Sequence, residues 1–230
     1  MQDFDNPLSR ADLCRMLDIS AVKTDSKDQD IEDVIRYAME LDCYLVTILP
    51  AQTQLAKMLL KDKHSPKLGG NVGFPSGGQT TSIKVKETLE LLTMGVDEID
   101  MVIDVAALLS GRSDDVYQEI YEIVQAAESK PVKVILECHY LNDKFIRIGC
   151  DQAIKAGATF VKTGTGWAPT GATLENVTLI KKHVGDAIKI KASGGIRGFD
   201  TMVEMYRRGA SRFGISMNSA INILTKKNVV

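Results

Sequence analysis

The sequence predicts an α/β fold, a single (β/α)8 TIM barrel with a short N-terminal helix, occupying residues 1–230 as one domain. Three observations carry this expectation. Strand-like runs alternate with helix-like runs from end to end, and alternation of this kind builds a parallel sheet through crossover connections. The alternation repeats eight times in 230 residues, about 29 residues per unit, which suits a compact barrel. No Pro/Ser-rich linker or low-complexity stretch divides the chain, and no Gly-x-Gly-x-x-Gly follows the first strand. That last point counts against the competing architecture, an open doubly wound sheet.

The residues before Arg15 are expected to form a short helix at the bottom of the barrel. The first strand is then placed at Arg15–Asp18. Tyr44–Ile48, Lys67–Phe74, Glu98–Ile103, Val132–Glu137, Phe160–Thr163, Ile188–Ser193 and Arg212–Gly214 supply the other seven. Most are short, rich in β-branched or aromatic residues, and bounded by Gly, Pro or Asp. Between them, apolar residues recur with helical spacing. Examples are Ile31-Val34-Ile35-Ala38-Leu41, Val116-Ile120-Ile123-Val124-Ala127 and Phe145-Ile148-Ile154. Gly95, Gly157 and Gly209 each stand just before a strand, where a helix C-terminus needs a positive φ.

Composition excludes several classes. The hydrophobic fraction of 44% and a net charge of −2, from 28 Lys+Arg and 30 Asp+Glu, do not describe a disordered chain. Balanced charge offers no overall attraction to nucleic acid or an anionic membrane, and neither is expected as a partner. No apolar run approaches the ~20 residues needed to cross a bilayer. The N-terminal MQDFDNPLSR has no secretory pattern. With four cysteines (Cys14, Cys43, Cys138, Cys150) in no paired spacing, the expected location is cytoplasmic with reduced thiols. His64, His139 and His183 have no second ligand at a fixed offset, so neither metal nor cofactor is expected.

The informative positions are charges within strands. In Ile188-Lys189-Ile190-Lys191 the isoleucines share the face that packs on helices, so both lysines are expected to point into the barrel. By the same parity Lys133, Ile135 and Glu137 share a face, as do Glu98, Asp100 and Val102. Lys162 ends the run Ala158-Thr159-Phe160-Val161. An unpaired charge inside a barrel costs several kcal/mol, so such residues are paired or functional. Their clustering toward C-terminal strand ends, where this fold carries its active sites, favours function. The chemistry suggested is imine formation. Lys162 and Lys191 fall on neighbouring strands, and one ammonium lowers the basicity of the other. Asp100, across the lumen, is placed to move protons.

Ser193-Gly194-Gly195-Ile196-Arg197 follows the seventh strand and Gly214-Ile215-Ser216 the eighth, where barrels of this type often hold phosphate. Adjacent glycines expose N–H groups to an anion, and Arg197 adds a charge. The Gly194-Gly195 pair alone is also readable as a tight turn, and its position after the seventh strand favours the anion site. Trp167 is readable either as a pocket wall or as a packed rim residue.

Four motifs in order resemble the deoxyribose-phosphate aldolase family of class I aldolases. They are Val72-Gly73-Phe74-Pro75, Asp97-Glu98-Ile99-Asp100-Met101-Val102-Ile103, Phe160-Val161-Lys162-Thr163-Gly164-Thr165-Gly166 and Lys191-Ala192-Ser193-Gly194-Gly195-Ile196-Arg197. The resemblance extends from about Met16 to Leu224. It implies a metal-independent, reversible cleavage of 2-deoxy-D-ribose 5-phosphate to glyceraldehyde 3-phosphate and acetaldehyde. It also implies Lys162 as the Schiff-base lysine, Lys191 as the lysine that perturbs it and Asp100 as the proton-relay residue. Asp18, Ser20 and Lys133 would lie near the substrate. Gly166, Gly194, Gly195, Arg197, Gly214 and Ser216 would bind its phosphate. Many such proteins are dimers or tetramers, so a homo-oligomer is expected.

The chain departs from the family pattern in places. Asp18-Ile19-Ser20 stands for Asp-His-Thr, and Thr47-Ile48-Leu49-Pro50 lacks a usual cysteine. Thr163-Gly164-Thr165-Gly166 stands for Thr-Ser-Thr-Gly. The last phosphate loop reads Gly214-Ile215-Ser216-Met217-Asn218. Lys189 replaces a common glycine, Asp104 replaces an asparagine, and Glu137 is a candidate interior partner for Lys189. Imine chemistry on another sugar phosphate or hydroxyaldehyde, a catalytically silent sugar-phosphate-binding barrel and an isomerase stand as the alternatives.

Overall fold

In the computed structural model, residues 9–61 and 66–225 are described. Eight parallel strands close into a barrel in the order β1 to β8. They are β1 Leu17–Ala21, β2 Leu45–Ile48, β3 Lys67–Val72, β4 Glu98–Val102, β5 Val132–Ile135, β6 Phe160–Lys162, β7 Lys189–Ser193 and β8 Arg212–Ser216. Helix α1 (Arg10–Arg15) precedes β1. The outer layer is α2 (Asp28–Glu40), α3 (Thr53–Leu60), α4 (Thr81–Thr93), α6 (Ser113–Ala126), α7 (Asp143–Lys155), α8 (Leu174–Val184), α9 (Phe199–Arg207) and α10 (Met217–Leu224). A short α5 (Val105–Leu109) lies between β4 and α6.

The expected first strand lies too early in the sequence. Arg15 closes α1, which starts at a reciprocal cap between Ser9 and Asp12, so pairing begins two residues later. Four other strands, β3, β4, β5 and β6, end sooner than expected because the backbone turns left-handed or leaves the ladder. Gly73 at φ 65° ends β3, and Glu137 at φ 53° stands just beyond β5. Gly95, Gly157 and Gly209 have φ of 85°, 82° and 105°, as their place after helices requires. The buried face of α7 is Ile146, Gly149, Cys150 and Ala153. Phe145, Ile148 and Ile154 flank it, half-buried.

Strand parity divides the molecule into two interiors. One set of alternating residues, including Ile19, Val46, Leu68, Ile99, Met101, Val134, Val161, Ile190, Phe213 and Ile215, joins the helices in one apolar cluster. The opposite set faces the lumen. There the usual layers of branched aliphatics give way to buried charge: Asp18, Glu98, Asp100, Lys133, Lys162, Lys191 and Arg212, none more than 8% exposed.

Between barrel and helices lies a second buried pair. Lys84 on α4 meets Glu119 on α6 at 2.8 Å and donates to the Val102 carbonyl at 2.8 Å. Glu119 also accepts the Asp104 N–H at 3.1 Å. These contacts hold the C-terminal end of β4, two residues past Asp100.

Candidate active site

Asp100 sits at the centre of the lumen. Its Oδ2 accepts from Lys162 Nζ at 2.7 Å and from Lys191 Nζ at 2.8 Å, while Oδ1 accepts from Lys133 Nζ at 2.7 Å. Strand register explains the convergence. Lys162 pairs in register with Lys191, and Asp100 with Lys133, while Lys162 stands opposite Ile135, two residues beyond Lys133, so inward side chains from four successive strands converge on Asp100 from two adjacent levels. Lys191 also reaches Asp18 Oδ2 at 2.5 Å. Gly214 leaves room for this, since a Cβ there would lie 3.1 Å from Lys191 Cε and 2.5 Å from Ser193 Oγ.

Deeper in the lumen, Lys133 also contacts Glu98 at 2.7 Å. Arg212 meets Asp18 at 3.0 Å and Glu98 at 3.6 Å, with its guanidinium 3.6 Å from the Tyr44 ring centroid. Tyr44 Oη donates to Glu98 at 3.0 Å and accepts from Lys67 at 3.1 Å on the lower rim.

The electrostatic consequence differs between the lysines. Burial is the main force on Lys162, and the Lys191 and Lys133 ammonium groups add to it. They outweigh Asp100 and bring Lys162 down to about 8. Burial also disfavours charge on Lys133, but Asp100, Asp18 and Glu98 overcome it and hold that lysine above its ordinary value. Asp100 falls well below the carboxylate range: desolvation is opposed successfully by Lys133, Lys162 and Lys191. Asp18 is lowered in the same way by Lys191, Lys133 and Arg212. At pH 7 an amine titrating near 8 is about one-tenth free base, roughly 300-fold more than a lysine at its ordinary value of 10.5.

Lys162 and Lys191 reach the surface of a narrow recess of about 20 Å³, whose other walls include Asp18, Thr47, Asn71 and Phe74. Ser20, Val22, Thr165, Ser193 and Gly214 line both this recess and a cleft of about 480 Å³ at the C-terminal face. Gly166, Gly194, Gly195, Arg197 and Ser216 line the cleft as well. The three glycines have φ of 86°, 93° and 87°. The loops after β6 and β7 also touch there, so a Cβ on Gly171 would stand 2.7 Å from Gly194 Cα. Ser216 caps α10, accepting from the Ser219 N–H at 3.3 Å. Ser20 Oγ donates to the Ile215 carbonyl at 3.2 Å.

All the expected residues except Lys133 line the cavities or, in the case of Asp100, back directly onto the two lysines that do. Lys133 lines neither cavity; it is fully buried two residues below the level of Lys162, in register beside Asp100. Lys189 overturns an expectation. Its parity is inward but its depth is wrong: as the first residue of β7 it emerges exposed at the lower rim, 5.6 Å from the Phe160 ring centroid. Nor does it meet Glu137, which lies at the opposite end of the barrel and accepts from the Thr165 N–H at 3.2 Å and from its hydroxyl. A Cβ on Gly164 would come within 2.7 Å of Glu137 Oε1, so glycine in that loop makes space for the carboxylate.

Trp167 walls the cleft. Its Nε1 donates to the Val22 carbonyl at 3.1 Å and its ring meets Phe74 edge-on at 6.2 Å, joining the loops after β1, β3 and β6. Asn71 escaped notice in the sequence, as did Arg212 as a charged contributor. Asn71 Oδ1 and Thr47 Oγ1 are buried without a hydrogen-bond partner while lining the recess. The signal for Asn71 was available: a polar residue within the strand Gly69-Gly70-Asn71-Val72.

A closed parallel barrel with a basic lumen beneath an open cleft at its C-terminal face defines a barrel enzyme of the aldolase class, a carbon–carbon lyase. The chain belongs to the DeoC/LacD aldolase family, whose model matches residues 15–221. It is 40% identical over 214 residues to a deoxyribose-phosphate aldolase of Klebsiella pneumoniae, covering 92% of this chain and 86% of that one. It is 42% identical to one of Dictyoglomus turgidum, covering 95% of this chain and all of the other. The tetrameric deoxyribose phosphate aldolase of Aeropyrum pernix superposes with a TM-score of 0.87 at 30% identity, covering 96% and 94% of the two chains.

Proposed function

We propose that the protein cleaves 2-deoxy-D-ribose 5-phosphate reversibly to D-glyceraldehyde 3-phosphate and acetaldehyde through an imine on Lys162. The observation that carries this reading is Lys162 itself: a buried amine brought to about 8 that opens onto the recess. The free amine adds to the C1 aldehyde and water leaves, giving a protonated imine. Loss of the C3 hydroxyl proton then lets the C2–C3 bond break, with its electron pair passing into the iminium as an enamine. Protonation at C2 and addition of water release acetaldehyde and restore the amine.

Lys191 lines the recess and touches both Asp100 and Asp18. It and Asp100 move the C3 and C2 protons, with a water as intermediary. Ser20 and Asp18 face the sugar hydroxyls. Gly166, Gly194, Gly195, Arg197, Gly214 and Ser216 take the phosphate, supported by the left-handed glycines and the N-terminus of α10. Lys133 acts beside Asp100 as its fixed counter-charge. The protein works as a homo-oligomer, a dimer or a tetramer, which light scattering on the purified protein tests.

Borohydride reduction in the presence of substrate, followed by peptide mass mapping, is the test of mechanism. The expected adduct is on Lys162, and Lys162→Met is expected to lower kcat/KM by at least about 10³-fold. An adduct on another lysine, or full activity in Lys162→Met, overturns the assignment.

A further inference from the structure

Among the described residues, the lumen buries three carboxylates, Asp18, Glu98 and Asp100, and four basic side chains, Lys133, Lys162, Lys191 and Arg212. Each acid contacts at least two of the bases within 4 Å. Separated opposite charges in such a space are costly, and a net excess of one sign is costlier still. The four bases are not equivalent. Arg212 does not titrate in a protein. Lys133 touches Asp100 and Glu98, with Asp18 at 3.9 Å. Lys191 touches Asp18 and Asp100. Lys162 touches Asp100 alone, and shares that oxygen with Lys191. With Lys133, Lys191 and Arg212 charged, the three acids are balanced, and Lys162 is the surplus cation.

We propose that Glu98 and Arg212, which line neither cavity, are positioning residues that decide which lysine is left neutral by setting the charge count of the barrel interior. This rests on the imine reading of Lys162 and extends it to the barrel floor. The groups around Lys162 are all accounted for: Asp100 from β4, Lys133 from β5, Lys191 from β7, and behind them Asp18 from β1 and Arg212 from β8. Glu137, on the segment after β5, is turned away onto Thr165. Around Glu98 and Arg212 stand Tyr44 and, on the lower rim, Lys67. Lys67 and Lys189 reach water at that rim, where solvent screens them.

The test uses pairs of opposite sign. Glu98→Gln removes an acid and makes Lys162 more strongly surplus. Arg212→Gln removes a cation, so that three acids face three lysines and Lys162 is retained as an ammonium. The readout is the pH dependence of cyanoborohydride trapping of acetaldehyde on Lys162, located by peptide mapping. The midpoint is expected to fall by about one pH unit in Glu98→Gln and to rise by about one in Arg212→Gln, about a tenfold change in free amine each way. In the double variant it returns to the wild-type position. Arg212→Lys keeps the count and holds the midpoint.

Midpoints that stay put in both single variants, move the same way, or fail to cancel in the double variant overturn the proposal. So does an Arg212→Lys midpoint displaced as far as that of Arg212→Gln, since shape would then be responsible. If Arg212→Gln yields no folded protein, Glu98→Gln decides alone by the presence or absence of the downward shift. Absence of any Lys162 adduct in the wild type is a separate result: it overturns the imine reading and this inference with it.

Discussion

Lys162 is set apart from the other lumen lysines by a mismatch between where it is buried and how it is paired. Three lysines lie in the same lumen, yet among the described residues only this one has no carboxylate contact beyond an oxygen it shares with a competitor. That difference has a thermodynamic signature. In the unfolded chain a lysine titrates near 10.4, whereas folded Lys162 titrates at about 8. Between those values the unfolded chain binds the proton that the folded chain has shed, so this residue makes stability rise with pH across that window. Relative to Lys162→Met, the wild type should gain about 3 kcal/mol between pH 8 and 10.5. Urea unfolding of both proteins at the two pH values measures it; parallel behaviour would mean that Lys162 is not perturbed. The burial of Lys162, Lys191 and Asp100 in one lumen was legible in the sequence because charge within strands stands out against apolar neighbours. Lys189 obeyed the same pattern and is exposed, because parity reports the side of a strand and carries no information on depth.

At the scale of elements, strand β4, which carries Asp100, is held from outside by α4 and α6. Lys84 spans from α4 to the Val102 carbonyl and Glu119, and Glu119 fixes the Asp104 N–H where the chain leaves the strand. The sequence gives no hint of this: Lys84 lies in Ser82-Ile83-Lys84-Val85-Lys86, which reads as part of an exposed helix face. It is fully buried because Gly73, which lacks a side chain, lets the lysine stem pass; a Cβ there would sit 2.8 Å from Lys84 Cε. Lys84→Met leaves the Glu119 carboxylate buried without its partner and should cost about 3–5 kcal/mol. Lys84→Met with Glu119→Leu should recover most of that, since removing both charges also removes their desolvation. Thermal unfolding of the single and double variants checks this, and a single variant as stable as the wild type would show the pair to be dispensable. Helix α7 carries a similar lesson. Its helical period was readable, but the buried stripe is Ile146, Gly149, Cys150 and Ala153, because small residues let it approach Leu136 closely.

For the whole molecule, the lumen couples stability to acid. Asp18 and Asp100 are both held below the ordinary carboxylate value by buried cations. Their contribution is complete above the unfolded value near 3.9 and is lost as pH falls through their folded values, because the unfolded state then binds protons that the folded state refuses. The wild type should therefore lose stability more steeply below about pH 4 than Asp18→Asn does. Circular dichroism melts at pH 5, 4 and 3 measure the difference, and parallel curves would count against these ion pairs.

Eightfold alternation and glycines at helix ends determined the barrel from sequence alone, and inward charge in β4 to β7 pointed to the lysine chemistry proposed above, since each depends on periodicity or on local backbone demands. Only the tertiary structure decided depth and partnership: that Lys133 lies buried beside Asp100, that Lys189 reaches water, and that Arg212 and Glu98 join the ion pairs of the lumen. Those depend on how eight strands are staggered around the barrel, and stagger is set by contacts between residues far apart in the chain.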